Sequence, residues 1–286
     1  MKRCCLLIIV FLTVVSAQQP NWQSVENTLG RKGVVQGDMY KVTFPRSDTR
    51  VSVGDVVIEP GLALTSWVAF MSRGDHVMLM GDLVLLETEI APVEKTLIEN
   101  HLEISAIHNH VLEEQPKIIY MHIAGEGKAE TLAEAVNNVL RQTATLLGPS
   151  QLSPKPTAID WSNVESVLGL TGKHNGNLLQ LSLPRKEKIT EHGMDIPPFM
   201  GMATAINLQR VDSQRAATTG DFVLLADEVN PVVKALNEHA IVVTALHSHM
   251  LFESPRLFFL HFWAVGDPKK IAEGLKAAVD KTNSVK

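Results

Sequence analysis

Beyond residue 17 the chain contains no cysteine, because Cys4 and Cys5 are the only two. Disulfides, thiolate metal sites, iron–sulfur clusters and cysteine nucleophiles are therefore excluded from everything that follows. An excess of positive charge is also missing. At a formal net charge of −5 the chain lacks the basic face that neutralises phosphates, and no nucleic-acid partner is expected. The long apolar run, Leu6 to Val15, is too short for a permanent membrane span. Gly-x-Ser-x-Gly and His-Glu-x-x-His do not occur. Gly125-Glu-Gly-Lys128 lacks the leading glycine and the hydroxyl of a phosphate loop, so no nucleotide cofactor is indicated.

What is present begins with a positive Lys2-Arg3, the apolar run, and small residues at Val15-Ser-Ala17. That order predicts a secretory signal peptide over residues 1–17, cleaved after Ala17. Neither cysteine follows the run, where a lipid-modified cysteine would stand. The expectation is an exported protein, periplasmic or secreted, with no stable membrane anchor after cleavage. The remainder has a globular composition, 45% hydrophobic and 20% charged over the whole chain.

The chain repeats itself. A shift of 139 residues lays Trp22-Gln-Ser-Val-Glu-Asn-Thr-Leu-Gly30 over Trp161-Ser-Asn-Val-Glu-Ser-Val-Leu-Gly169. It also aligns Pro45-Arg46 with Pro184-Arg185, Gly81-Asp82 with Gly220-Asp221, Glu89 with Glu228, and Pro92-Val93 with Pro231-Val232. Two modules follow, 18–147 and 159–286, joined by a Pro/Ser-rich linker over 148–158. Helical spacing behind Asn21 and Asp160 predicts a capped helix at each module's start. Met39 to Phe44 and Leu178 to Leu183 alternate like strands. Pro92 and Pro231 are placed to open a second helix. Strands over Ile104–Leu112 and Lys117–Ala124 form a hairpin with a short turn, copied at Val243–Leu251 and Arg256–Ala264. A closing helix carries Leu132, Val136 and Leu140, or Ile271, Leu275 and Val279. The fold class is α+β: two tandem modules, each a largely antiparallel sheet with flanking helices, packed about a pseudo-two-fold axis.

Of 11 histidines, six pair across the shift: His108 with His247, His110 with His249, and His122 with His261. Glu114 with Glu253 and Pro116 with Pro255 complete the pattern His-x-His-x3-Glu-x-Pro-x5-His. Residues two apart on a strand share a face, and the returning strand brings the third histidine beside or diagonal to the second. Three imidazoles and a carboxylate per module suit Zn²⁺, Cu²⁺, Mn²⁺ or Fe²⁺. Such a site predicts His108, His110, Glu114 and His122, with His247, His249, Glu253 and His261, as metal ligands. The methionines of Met78-Leu-Met80 and Met200-Gly-Met202 read as core filling rather than copper ligands. Glu89 and Glu228 read as partners of a helix N-terminus. Phe252, Phe258, Phe259, Phe262 and Trp263 read as core, or as the wall of a pocket or partner surface.

Gly220-Asp-Phe-Val-Leu-Leu-Ala-Asp-Glu-Val-Asn-Pro231 and Thr244-Ala-Leu-His-Ser-His-Met-Leu-Phe-Glu-Ser-Pro-Arg-Leu-Phe-Phe-Leu-His-Phe-Trp263 resemble the LppY/LpqO family of bacterial exported proteins and lipoproteins. The resemblance covers nearly the whole chain after residue 17. It implies export and this fold, and brings no activity. Three functions are therefore carried forward. The first is metal binding through the duplicated cluster. The second is a metal-dependent hydrolase or oxidoreductase acting on an extracytoplasmic small molecule, with Glu114 or Glu253 as general base. The third is a metal-free binding or scaffold module.

Overall fold

The computed structural model describes residues 20–74, 76–148 and 159–286. The signal peptide predicted over 1–17, and all of the linker except Gly148, lie outside them.

The first module runs α1 (Trp22–Leu29), β1 (Val34–Gln36), β2 (Met39–Pro45), β3 (Ser52–Val53), β4 (Val56–Val57), β5 (Thr65–Arg73), β6 (His76–Leu86), α2 (Ile90–Glu99), β7 (Glu103–His108), β8 (Glu114–Gln115), β9 (Ile118–Gly127) and α3 (Ala129–Leu140). The second repeats it as α4 (Ser162–Leu168), β10 (Lys173–Asn175), β11 (Leu178–Pro184), β12 (Thr190–Glu191), β13 (Met194–Asp195), β14 (Ala203–Arg210), β15 (Ala216–Leu224), α5 (Ala226–Glu238), β16 (Val242–His247), β17 (Glu253–Ser254), β18 (Phe258–Gly266) and α6 (Pro268–Val279). Each module has a six-stranded antiparallel sheet, ordered β1-β2-β5-β6-β9-β7 and β10-β11-β14-β15-β18-β16. The short strands β4-β3-β8 and β13-β12-β17 form two satellite sheets.

Strand periodicity explains the layering. On β6, Val77, Leu79, Leu83 and Leu85 pack under the helices with Val93, Leu97, Leu132 and Val136. Met78, Met80 and Val84 alternate with them and face the other module. Two apolar clusters mix residues of both modules: Met71, Met78 and Met80 with Met200, Met202 and Phe259, and Leu62, Leu64 and Tyr120 with Leu178. The order is helices, sheet, sheet, helices. A strand covered on both faces reads as a continuous apolar run, which β6 does from Val77 to Leu86 except at Gly81-Asp82. The methionines are core, as expected.

Three local expectations are corrected. Pro92 and Pro231 do not open their helices; Pro231 lies inside α5 and Pro92 inside α2. The chain turns earlier because the Leu86 and Leu225 amides donate to the Glu89 and Glu228 carboxylates at 2.8 and 2.7 Å. Asn21 makes no side-chain cap; Asp160 accepts from the Ser162 amide at 2.9 Å. The third concerns the hairpin, whose first strand stops at His108 and His247, so that His110 and His249 lie in the following loops.

Glu89 and Glu228 have a second partner. The Arg46 guanidinium, fully buried, donates to both Glu89 oxygens at 2.7 and 3.1 Å and to the Val84 carbonyl at 2.6 Å. Arg185 does the same with Glu228 and Val223. The Ala144 and Asn283 amides complete the two networks at 2.8 and 2.7 Å. Each module thereby ties the end of its second strand, a helix start and its C-terminal tail to one buried ion pair.

Candidate metal centre

The register places the site. In the first module Thr43, Trp67, Asp82, His122 and Ala106 pair in turn across β2, β5, β6, β9 and β7. Ser182, Ala205, Asp221, His261 and Ala245 form the matching row in the second. Asp82 and His122 share the parity of Met78, Met80 and Tyr120, so both face the opposing sheet. His122 is thus diagonal to His108, and His110 lies beyond the end of β7.

The six paired histidines meet between the modules. Ring centroids of His108 and His247 are 3.5 Å apart, and those of His110–His261 and His122–His249 are each 3.8 Å apart. Exchanging the modules maps the first pair onto itself and swaps the other two. Within each module the distances agree as well: His108 is 5.0 Å from both His110 and His122, and His247 is 5.0 Å from both His249 and His261. A pseudo-two-fold axis therefore passes through the His108–His247 pair. His110 stacks on Tyr120 at 3.3 Å and His249 on Phe259 at 3.4 Å. The loops carrying them are pinned from across the interface, by Thr244 Oγ1 donating to the His110 carbonyl and Ser105 Oγ to that of His249.

Hydrogen bonds orient the rings. Carbonyl oxygens only accept, so an Nδ1 facing one carries the proton. His261 Nδ1 donates to Gly220 O at 2.7 Å, His108 Nδ1 to Asn109 O at 3.1 Å, and His247 Nδ1 to Ser248 O at 3.4 Å. His122 makes the corresponding bond to Gly81. All six Nε2 atoms are buried; His249 Nε2 lies 3.1 Å from Asp221 Oδ2, and the other five have no hydrogen-bond partner, nor do Oδ1 of Asp82 and of Asp221.

Three sets of donors lie within 4.8 Å of one another: Asp221-His247-His249-His261, His108-His110-His261 and His108-His122-His247. These clusters could hold a metal ion. Burial holds all six imidazoles below their ordinary range, His108 down to about 2 and His261 to about 4. They are neutral at ordinary pH, the form that binds metals. Burial raises both aspartates, and the neighbouring Asp221 charge raises Asp82 further.

Glu114 and Glu253 are not in these sets. The turn expected at 113–116 is a longer excursion in which β8 and β17 pair with β3 and β12, drawing both carboxylates into the satellite sheets. There Glu114 accepts from the Ile118 amide at 3.3 Å and Glu253 from the Leu257 amide at 3.0 Å, Glu253 also meeting Arg256 at 3.2 Å. The carboxylates beside the histidines are Asp82 and Asp221. Their signal was visible: an acid kept in both copies within an apolar run, next to a glycine that admits close strands. A Cβ at Gly220 would stand 2.0 Å from the Ala205 carbonyl.

A cavity of about 800 Å³ opens between the sheets beside the cluster, its lining shared by Asp82, His122, Asp221, His249, Lys41 and Trp67. Burial depresses the Lys41 ammonium to about 8, against an opposing pull from Asp82.

Fold and site together define a duplicated α+β protein with a shared histidine–aspartate cluster between its modules. The family profile described as Domain of Unknown Function (DUF1259) matches residues 23–142 and again 162–281, and the chain belongs to that family as a tandem pair. No curated protein matches it. Among solved structures it is similar to the trimeric bacterial microcompartment shell protein PduB, with a TM-score of 0.22, 11% identity, and 89% of this chain and 91% of that one covered. EtuB from Clostridium kluyveri gives 0.20 and 11%, over 87% and 88%. Likeness at this level carries no argument about function.

Proposed function

We propose that this is an exported metal-binding protein whose centre is built jointly by its two modules. One observation carries the reading: six imidazoles held neutral by burial turn their Nε2 atoms into one buried space with Asp82 and Asp221, where the nearest polar approach is His249 Nε2 to Asp221 Oδ2 at 3.1 Å and the Oδ1 atoms of both aspartates have no hydrogen-bond partner. The four Nε2 lone pairs of His108, His122, His247 and His261, whose Nδ1 atoms carry the proton, gather beside carboxylate oxygens away from water, and a cation relieves both the repulsion and the lost hydration. Imidazole-rich donors with one carboxylate favour Zn²⁺, Cu²⁺, Fe²⁺ or Mn²⁺ over Mg²⁺ or Ca²⁺. Export rests on residues 1–17 and the resemblance to the LppY/LpqO proteins; cell fractionation tests it, and wholly cytoplasmic protein refutes it.

Elemental analysis of tag-free mature protein from metal-replete cells tests the centre. Stoichiometric metal, lost in a His108→Ala/His247→Ala variant, is the expected result. Metal near zero, with no uptake on titration, refutes it. The cavity favours a second reading, metal-dependent catalysis on a small molecule. In that case Asp82 or Asp221, rather than Glu114 or Glu253, is the carboxylate placed to act as general base.

A further inference from the structure

We propose that the inter-module cavity binds a small carboxylate-bearing organic anion, seated between the metal centre and the Lys41 ammonium. The inference rests on the metal reading above and adds the class of ligand.

Lys41 is the cation whose surroundings ask for a partner. It projects from β2 toward the opposing module, donates to the Phe199 carbonyl at 3.1 Å, and lies 3.8 Å over the Trp67 ring. Among the described residues no carboxylate is within ion-pair distance of it. An ammonium held away from bulk water without an anion is costly, and one that lines a cavity can take its anion from a ligand.

The other charges decide when that happens. Asp82, Asp221 and Glu59 also face the cavity, with Lys173 at its exposed rim. Glu59 is engaged by Asn177 at 2.7 Å. Without a metal, the carboxylate charge that the two aspartates share opposes an incoming anion. A divalent cation on the cluster compensates them and offers a ligand position, which leaves Lys41 to attract the far end. The two anchors stand on different strands: Lys41 is two residues along β2 from Thr43, which shares the Asp82 row. Two strand spacings of about 4.8 Å and two residues of about 3.3 Å put their backbones roughly 12 Å apart, and with the Lys41 side chain covering part of that distance a molecule of a few carbons spans the rest.

The walls suit the same ligand. Thr219 Oγ1 is buried and has no partner, while Thr43 and Ser182 add hydroxyls from the two facing sheets. Ala205 replaces the indole that Trp67 supplies in the other row, so the second module's half is the roomier. About 800 Å³ falls within the usual range for small-molecule sites. A neutral sugar would leave Lys41 without its counter-charge.

Malate and glutarate, with glucose as an uncharged control, are titrated calorimetrically into the full mature chain, metal-loaded and metal-free, with metal content measured on each sample. The expected result is saturable binding of a dicarboxylate, but not glucose, by the loaded protein. It should be weakened roughly tenfold or more in Lys41→Met at unchanged metal content, and by a few-fold in Thr219→Val. Loaded protein that binds neither acid at millimolar concentration overturns the inference and leaves the metal reading standing. So does equal binding by Lys41→Met or by metal-free protein. A chain that takes up no metal overturns the metal reading itself, and the elemental analysis separates the two failures.

Discussion

A histidine on the axis serves both halves of the cluster. His108 and His247 each belong to two of the three donor sets, as does His261, whereas His110, His122 and His249 belong to one each. His247→Ala should therefore weaken metal retention more than His122→Ala, by at least the roughly 10- to 100-fold that lesser perturbations of metal sites cause. Metal content after dialysis measures it. Glu114→Gln and Glu253→Gln should leave that content unchanged. Acid supplies a second prediction. The folded protein holds its six imidazoles neutral while the unfolded chain takes up protons below pH 6.5, so metal-free protein loses stability as pH falls from there toward about 4, where His261 begins to titrate. Each proton contributes a slope of about 1.4 kcal/mol per pH unit, readable from denaturation midpoints between pH 7 and 4. The raised Asp82 carboxyl works with the opposite sign, since the folded state keeps a proton that the unfolded one releases above 3.8. Asp82→Asn should therefore steepen the acid loss.

The buried Arg46–Glu89 and Arg185–Glu228 pairs act on whole elements. Removing one partner strands the other charge, so Arg185→Ala should cost about 3–5 kcal/mol in chemical denaturation without altering metal content in the protein that remains folded. Arg185→Lys should not rescue it, because an ammonium cannot reproduce the fork across two carboxylate oxygens. At Gly201 the backbone has φ 93 and an added Cβ would sit 2.8 Å from the Trp67 ring, so Gly201→Ala should destabilise the contact between modules. The sequence showed the Pro-Arg pairs and Glu89/Glu228 recurring together, but nothing in their spacing said that they touch across β2 and α2. The helices, sheet strands and core methionines were legible because apolar periodicity records burial. The excursion at 109–117 was not, because its direction is set by pairing with β3, more than fifty residues earlier. The same blindness hid what Asp82 pairs with, since strand neighbours cannot be read from a single strand.

Across the whole molecule, the cluster and the inter-module contact are one structure. Metal that binds only the assembled form should stabilise it by about 2.7 kcal/mol at a hundredfold excess over its dissociation constant, raising the melting temperature. Stripping the metal should speed amide hydrogen exchange first in β7 and β16, the edge strands next to the histidine loops, and only later in β6 and β15. Uniform acceleration would argue against that order.

The axis through His108 and His247 has a genetic meaning. In a dimer of identical chains every substitution lands twice, so an unsymmetrical chamber cannot arise. Once two copies are fused, each half mutates alone. Tyr120 opposite Phe259, Trp67 opposite Ala205, and Met80 opposite Thr219 are such one-sided changes, and they fall around the cluster while its histidines stay matched. Fusion leaves the walls free to differ, so the proposed ligand need not share the twofold symmetry of the histidines.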